Sequence, residues 1–461
     1  MKLPYDDSKL MELLQPQELK NIFRNYELSK RISRTNDGNI ATGADGISHQ
    51  VFRRELDLRC ALISKRAVNG SFLFYPFAEQ VFDKGTSKRR KVEISSIRDI
   101  LVQKALLSAI YDEVENLLRT NHFIDSAVCS HRKGKSAIDA VLQAHRYMKD
   151  GYYYVLCTDI VQFYRSIPCE PLTQLVRNSF GKDSLTSQLL VRLIATSSIS
   201  YSGELLSPDN QAPGITGQKA RPRRSGIAIG GILSGILSNL YLYDFDLWAA
   251  NDLSRRYNLK YLRYVDNLLF LLKDDVAADV YKLVFEQLIK KGLTVHGSQK
   301  TSMLDVRHRN LEYVDFQISP SQIAIGKRNV EEFKQRIRNK IEKEPSLWID
   351  ETDPTERFRR FVGEVLKNIL SRRVEKCRVC NGTVAAPKSW IKYYSVITEV
   401  EQLEDLDRWI RKSLGCHFYG YYGLRLKRRD FRRYGMVSIL QEYYHIQRDK
   451  PCKCSRVKMV Q

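Results

Sequence analysis

No stretch of the chain approaches the roughly 18 consecutive apolar residues that a membrane span requires, and the opening residues, MKLPYDDSKL, lack the apolar centre of a secretory leader. The expectation is a cytoplasmic protein with no membrane partner. Cysteine is present but unframed: nine residues, an odd number at irregular spacings, with Cys60, Cys129, Cys157 and Cys169 early in the chain. That pattern excludes a disulfide-stapled secreted domain, and these early cysteines read as reduced, mostly packed thiols. Acidic residues are also scarce relative to basic ones. There are 53 Asp and Glu against 75 Lys and Arg, a formal net charge of +22. Such a surplus on a folded chain suits a polyanion, because each neutralised phosphate releases condensed counterions; a generally basic solvated surface is the plainer account. Disorder is excluded by a hydrophobic content of 43%, and the length allows roughly two to four domains.

Apolar positions Leu10, Leu13 and Leu14, then Leu19, Ile22, Phe23 and Tyr26, recur at helix spacing and predict a packed N-terminal extension. ATGADGIS marks a turn, followed by a helix through Phe52, Leu56 and Ala61. The basic stretch holding Lys84, Lys88, Arg89, Arg90 and Lys91 lies between apparent strands. It could clamp a triphosphate or a nucleic-acid backbone, and a solvated loop accounts for it equally well. A helix from Arg98 to Leu118 leads to SHRKGKSAIDAV, where Arg132, Lys133 and Lys135 surround Gly134 ahead of another helix. Amides at that helix N-terminus could also hold phosphate.

YYYVLCTDIV, residues 152–161, is rich in aromatic and branched side chains and predicts a buried strand carrying Asp159 near its end. A carboxylate there must be paired, protonated or bound to a cation. Phe163 and Tyr164 follow, then two helices over about 170–197 and a polar loop from about Tyr201 to Ser225. GIAIGGILSGILSNLYLYDFDLW enters a helix whose buried face carries Leu233, Ile236, Leu237, Leu240 and Phe245. KYLRYVDNLLFLL, from Lys260 to Leu272, reads as two buried strands joined by a tight Asp266-Asn267 turn. Asp and Asn serve turns for conformational reasons alone, so the pair gains meaning only from Asp159 on a neighbouring strand. An amphipathic helix from Ala277 to Lys291 and a returning strand with Lys300 just past it complete the order. Strand, helices, hairpin, helix and strand make a split βαβ sheet with helices on one face.

In this order the chain resembles the reverse transcriptases, and among them the bacterial group II intron, retron and defence-associated enzymes. TDIVQFYRSIP resembles the first palm motif, GIAIGGILSGILSNLYL the glycine-helix motif, RYVDNLLFLL the Tyr-x-Asp-Asp hairpin and GLTVHGSQKT the lysine motif. Upstream, ATGADGIS, the segment from DKGTSKRRKVEI to IRDILVQKAL, and SHRKGKSAIDAV resemble the fingers of bacterial members. The resemblance covers about residues 40–305. It implies an α+β right-hand polymerase: an N-terminal helical extension over 1–40, fingers over 41–150, a palm with a ferredoxin-like split βαβ sheet over 151–320, a helical thumb over 321–375 and a basic Cys-containing region over 376–461.

The resemblance also implies RNA-directed DNA polymerase activity with two Mg²⁺ ions, for which Mn²⁺ can substitute. The partners it implies are an RNA template, a DNA product and deoxynucleoside triphosphates. Asp159 and Asp266, with the carbonyl of Ile160, are the implied metal ligands; Asn267 and Lys300 join the two aspartates in the catalytic set, Lys300 as general acid toward pyrophosphate. Lys84, Arg90, Phe163, Tyr164 and Gly230 are the implied nucleotide-binding residues, with Tyr164 as the ring that lies against the sugar 2′ position and excludes ribonucleotides. Arg132 and Lys133, and far downstream Arg425, Arg428, Arg429 and Arg432 interleaved with tyrosines, are the implied nucleic-acid contacts. A solvated basic helix is the other reading of the downstream run.

The sequence departs from the family pattern at Asn267, where a second aspartate is usual, and at Ala228-Ile229, where Pro-Gln is frequent. Asparagine keeps an oxygen ligand and removes one charge, and an Asp-Asn pair also occurs in polymerases of some negative-strand RNA viruses. Nothing resembles an intron endonuclease or a ribonuclease H module. The setting implied is a defence-associated bacterial enzyme with a dedicated noncoding RNA as template or primer, with or without a partner protein or a second copy. Retron or intron-type enzymes, template-independent or protein-primed synthesis, and a weakened nucleic-acid-binding scaffold are the alternatives. Cys377, Cys380, Cys416, His417, Cys452 and Cys454 could supply a structural Zn²⁺ site; reduced thiols are the other account.

Overall fold

Apolar residues at three- and four-residue intervals give helix Ile97–Thr120 a buried face that includes Leu101, Val102, Ala105, Leu106 and Ile110. Helices Ser8–Leu13, Pro16–Ile32 and Leu56–Val68 pack on it, with Leu10, Leu14, Phe23 and Phe52 almost wholly removed from water. The computed structural model describes residues 2–32, 43–83, 89–200, 223–297, 300–367, 369–370, 375–376, 383–385 and 389–448. Lys84, Cys377, Cys380, Cys452, Cys454 and most of the loop expected over 201–225 lie outside the described residues. The chain divides into two units, Met1–Ser136 with Leu156–Met303, and Ala137–Val155 with Leu304–Gln461.

The first turn of the long helix contains a buried acid. Asp99 is 1% exposed, and its Oδ2 accepts from the Tyr75 amide at 2.8 Å. Burial pushes its carboxyl up to about 7, with the neighbouring Arg98 cation pulling the other way. The protonated form is therefore the one the fold favours. Its contribution to stability is fully present below the ordinary carboxylate value and is lost as pH rises through about 7. Asp99→Asn should flatten the part of the melting curve's pH dependence that lies between about pH 4 and pH 7; parallel curves for parent and variant would refute this account.

Strands β1 (Phe77–Asp83), β2 (Arg89–Ile94), β3 (Tyr154–Asp159), β4 (Ser198–Ser200), β5 (Leu259–Tyr264), β6 (Asn267–Leu272) and β7 (Ser302–Asp305) form two sheets. One has the order β2-β1-β4 and the other β5-β6-β3-β7. In β6, Leu268 to Leu272 form a continuous apolar run in which every side chain is fully buried, the pattern of a strand covered on both faces. Helix Ser234–Leu247 continues into a π-helical segment, Trp248–Leu253, and a last turn, Ser254–Tyr257, before β5.

Two expectations need correction. The hairpin turn consists of Val265 and Asp266, because Asn267 already pairs with Tyr264 as the first residue of β6. The described residues of the lysine segment do not run on as one strand: Val295 makes a bridge to Ile160, and amides of Lys300 and Thr301 both return to the Gly297 carbonyl at 3.1 Å. That turn ends the pairing, so Lys300 precedes β7 instead of following it.

In the second unit, helix Ala137–Lys149 accompanies a three-stranded meander, β8 (Leu311–Tyr313), β9 (Phe316–Ile318) and β10 (Ile323–Ile325). Helices Lys327–Lys343, Pro354–Leu366, Glu401–Tyr422, Arg428–Arg433 and Ile439–Arg448 follow. Glu344, fully buried, ties three of these segments together. It accepts from Arg357 Nε at 3.1 Å, and its other oxygen lies 2.9 Å from His417 Nε2 and 2.8 Å from Tyr422 Oη. Charge pairing and hydrogen bonds together make such a carboxylate tolerable away from water.

Candidate active site

The turn between β5 and β6 is built on a buried cation. Arg263 is 0% exposed and reaches Asp246 twice, Nε to Oδ1 at 2.8 Å and Nη2 to Oδ2 at 2.6 Å. Its remaining donors meet Asn239 Oδ1 and the Val265 carbonyl, both at 3.1 Å. Val265 adopts φ 60°, a region that β-branched residues rarely enter and that persists only where surroundings impose it. The bond from Arg263 to its carbonyl is one such constraint. The result holds Asp266 at the tip, with Asn267 Nδ2 3.4 Å from Asp266 Oδ1.

β3 delivers the second acid. The Ile160 amide donates to the Asp266 carbonyl at 3.0 Å, fastening the end of the strand that carries Asp159 to the hairpin tip. On the other side the His296 amide donates to the Asp159 carbonyl at 3.0 Å, and His296 Nε2 lies 3.5 Å from Asp159 Oδ2. The Asp159 side chain is 35% exposed, so water and ligands reach it. Asp159 and Asp266 offer hard carboxylate oxygens at adjacent strand ends. Among the described residues no group of three or more His, Cys, Asp or Glu side chains forms a cage. This donor set fits an ion of the Mg²⁺ kind, which takes one or two carboxylates and completes its shell with water and substrate phosphate.

Beside the acids, Phe163 is buried and stacks on Tyr164 with ring centroids 5.5 Å apart. Burial pushes the Tyr164 hydroxyl up to about 12, so it stays protonated at neutral pH. Tyr164 Oη lies 2.7 Å from His131 Nε2. The strand-to-helix entrance is pinned by Glu93 on β2: its Oε2 accepts from the Ile229 amide at 2.6 Å, and its own amide donates to the Ile229 carbonyl at 3.0 Å. Gly230 follows at φ 87°, where a Cβ would fall 2.9 Å from Val92 Cγ1, so glycine serves here both conformation and contact. Arg90 belongs to β2, and Lys300 is exposed in its turn.

The basic residues divide by surroundings. Arg132 is only 5% exposed, and its guanidinium donates to Glu115, to Asp125 and to the carbonyls of Asp125 and Val128. Its donors are occupied by the protein, the partly exposed carboxylates of Glu115 and Asp125 among the partners. Lys133 is exposed, with Nζ 4.6 Å from the Tyr111 ring centre. In the second unit Arg425 is exposed with its guanidinium 5.4 Å from the Tyr419 ring centre. Arg428, Arg429 and Arg432 line a cavity of about 1340 Å³ with Arg408, Arg411 and Arg433. Cys416 is exposed and His417 is engaged by Glu344; the other residues of the expected zinc site lie outside the described ones.

Sequence reading missed Arg263, Asp246, Glu93, His131 and His296. The signal in the sequence for the first pair is an arginine among the apolar residues of a strand and an aspartate on the apolar helix before it.

The family model for Reverse transcriptase (RNA-dependent DNA polymerase) matches residues 83–321, more than half of the chain. No curated protein matches the chain. Among solved structures, apo telomerase from Candida tropicalis is similar at 12% identity and a TM-score of 0.40, over 81% of this chain and 62% of that one. The same telomerase truncated from its C-terminal domain is similar at 14% identity and a TM-score of 0.38, over 55% of each chain. The chain thus spans about three fifths of the length of the first of these.

Proposed function

The chain belongs to the reverse transcriptase family, and from that premise we propose that it is an RNA-directed DNA polymerase that copies, or is primed on, a dedicated noncoding RNA in bacterial antiphage defence. The observation that carries the catalytic part is the bond from the Ile160 amide to the Asp266 carbonyl at 3.0 Å, which joins the two acid-bearing strand ends. Asp159 and Asp266, with the Ile160 carbonyl, would hold two Mg²⁺ ions. When bound, these ions activate the primer 3′-hydroxyl and neutralise the incoming triphosphate. Tyr164 sets its ring against the sugar 2′ position, Gly230 allows close approach at the base of the site, and Lys300 carries a proton for the leaving pyrophosphate. Lys84 and Arg90 grip the triphosphate in this reading. Lys133, Arg425 and the arginine-lined cavity supply phosphate contacts and, with tyrosines, stacking on unpaired bases.

Primer extension on an RNA template with labelled deoxynucleotides, in Mg²⁺ and in Mn²⁺, tests the activity. Sequencing RNA that co-purifies with the protein tests the dedicated template; heterogeneous cellular RNA would defeat that part alone. A second reading, a nucleic-acid-binding scaffold, is favoured by one observation: Asn267 stands where a second carboxylate would be, its nitrogen directed at Asp266 Oδ1. Asn267→Asp separates the two. In a working polymerase the added charge should lower the Mg²⁺ concentration for half-maximal extension, by about threefold to tenfold. No gain with either metal points to a site tuned around asparagine or, where the parent also fails to extend, to the scaffold.

A further inference from the structure

The ring of Tyr164 is held by a residue distant in the chain. His131 Nε2 lies 2.7 Å from Tyr164 Oη, the two rings meeting edge to face with centroids 6.4 Å apart. On helix Ser234–Leu247 the Ser238 hydroxyl donates to the Gly235 carbonyl at 2.7 Å.

His131 is itself fixed. Its backbone adopts φ 55°, a sparsely populated conformation outside glycine. The preceding carbonyl, of Ser130, accepts from Asn239 Nδ2 at 2.9 Å, so helix Ser234–Leu247 anchors the segment. The imidazole lies on bare backbone of that helix: a Cβ on Gly235 would fall 2.4 Å from His131 Cγ and Nδ1. Glycine at 235 therefore makes the space that lets the imidazole reach the phenol.

We propose that His131 is a positioning residue that fixes the Tyr164 ring and so sets how strictly the site excludes the ribose 2′-hydroxyl. This rests on the reading of Tyr164 as the ring against the sugar. Excluding one extra oxygen requires the ring edge to be held to a fraction of an atomic diameter, and displacement of a positioning group by about 1 Å is worth up to about a hundredfold in rate. A phenol without His131 turns about two side-chain torsions and admits the hydroxyl.

The test is single-nucleotide incorporation of dATP against ATP on a primed RNA template, read as the ratio of kcat/KM values. His131→Phe keeps a ring and loses the hydrogen bond; the ratio should fall about tenfold, while kcat/KM for dATP falls only a few-fold. His131→Gln keeps an N–H donor and should recover most of the ratio. Gly235→Ala, which leaves both partners chemically intact, should lower it as His131→Phe does. In a Tyr164→Val background, where the ratio is lowest, His131→Phe should have no further effect. An unchanged ratio in His131→Phe, or in Tyr164→Val, overturns the proposal. Should the parent incorporate neither nucleotide, the polymerase reading fails by itself. The ratio of dATP to ATP dissociation constants on the primer–template complex then decides: a higher ratio in His131→Phe upholds the proposal, and an unchanged or lower ratio overturns it.

Discussion

Asp159→Asn is expected to reduce primer extension at least about a thousandfold, with the melting temperature essentially unchanged. Asparagine matches aspartate in size and keeps one carbonyl oxygen, so the strand end has no steric reason to move. The bonds that fix it are backbone bonds, from the Ile160 amide to Asp266 and from the His296 amide to Asp159. What is lost is the negative charge that would hold a divalent ion, and through that ion the stabilisation of charge developing on a transferring phosphoryl group. Asp266→Asn should behave alike, because its neighbour Asn267 brings no charge of its own. Activity within tenfold of the parent in either variant would remove that carboxylate from the site. Heat denaturation of both variants alongside the parent distinguishes lost chemistry from lost fold.

Arg263→Met is expected to have the largest effect on stability, about 3–5 kcal/mol by chemical denaturation. Methionine fills much of the volume but leaves Asp246 fully buried without its cation; the Tyr261 hydroxyl at 2.8 Å remains as a partial partner. The penalty is that of an uncompensated buried charge, and Arg263→Met with Asp246→Leu together should recover a large part of it. The double variant also tests the turn. It restores burial without restoring the bond from the guanidinium to the Val265 carbonyl, so stability should return further than primer extension does. Equal recovery of both would mean that the turn holds its shape without the arginine.

The order of strands and helices around the acids was legible because apolar runs and helix spacing are written locally, and a carboxylate in such a run stands out. Asp159 and Asp266 are singled out in that way. Arg263 is not, because its partner lies seventeen positions back on a helix and only the folded chain shows that the two meet. The turn was misread for a related reason. Asp and Asn carry the usual turn preference, whereas Val265 takes the left-handed conformation against its own preference because the buried arginine holds its carbonyl. Arg132 looked like its neighbours in a basic stretch, yet Glu115 and Asp125 draw it inward and leave Lys133 outside. A run of cations states the charge of a surface and not which member faces it.

The reduced, buried cysteines have a use as reporters. Cys157 sits two positions before Asp159 on β3, and Cys60, Cys129 and Cys169 are likewise buried, while Cys416 is exposed. An alkylating reagent should therefore label Cys416 at once and reach Cys157 only when the acid-bearing sheet opens. The slow labelling rate at Cys157, followed by peptide mass, measures how often that sheet parts in the native protein. A bound primer–template and nucleotide should slow it, and a rate indifferent to them would locate their grip elsewhere in the chain.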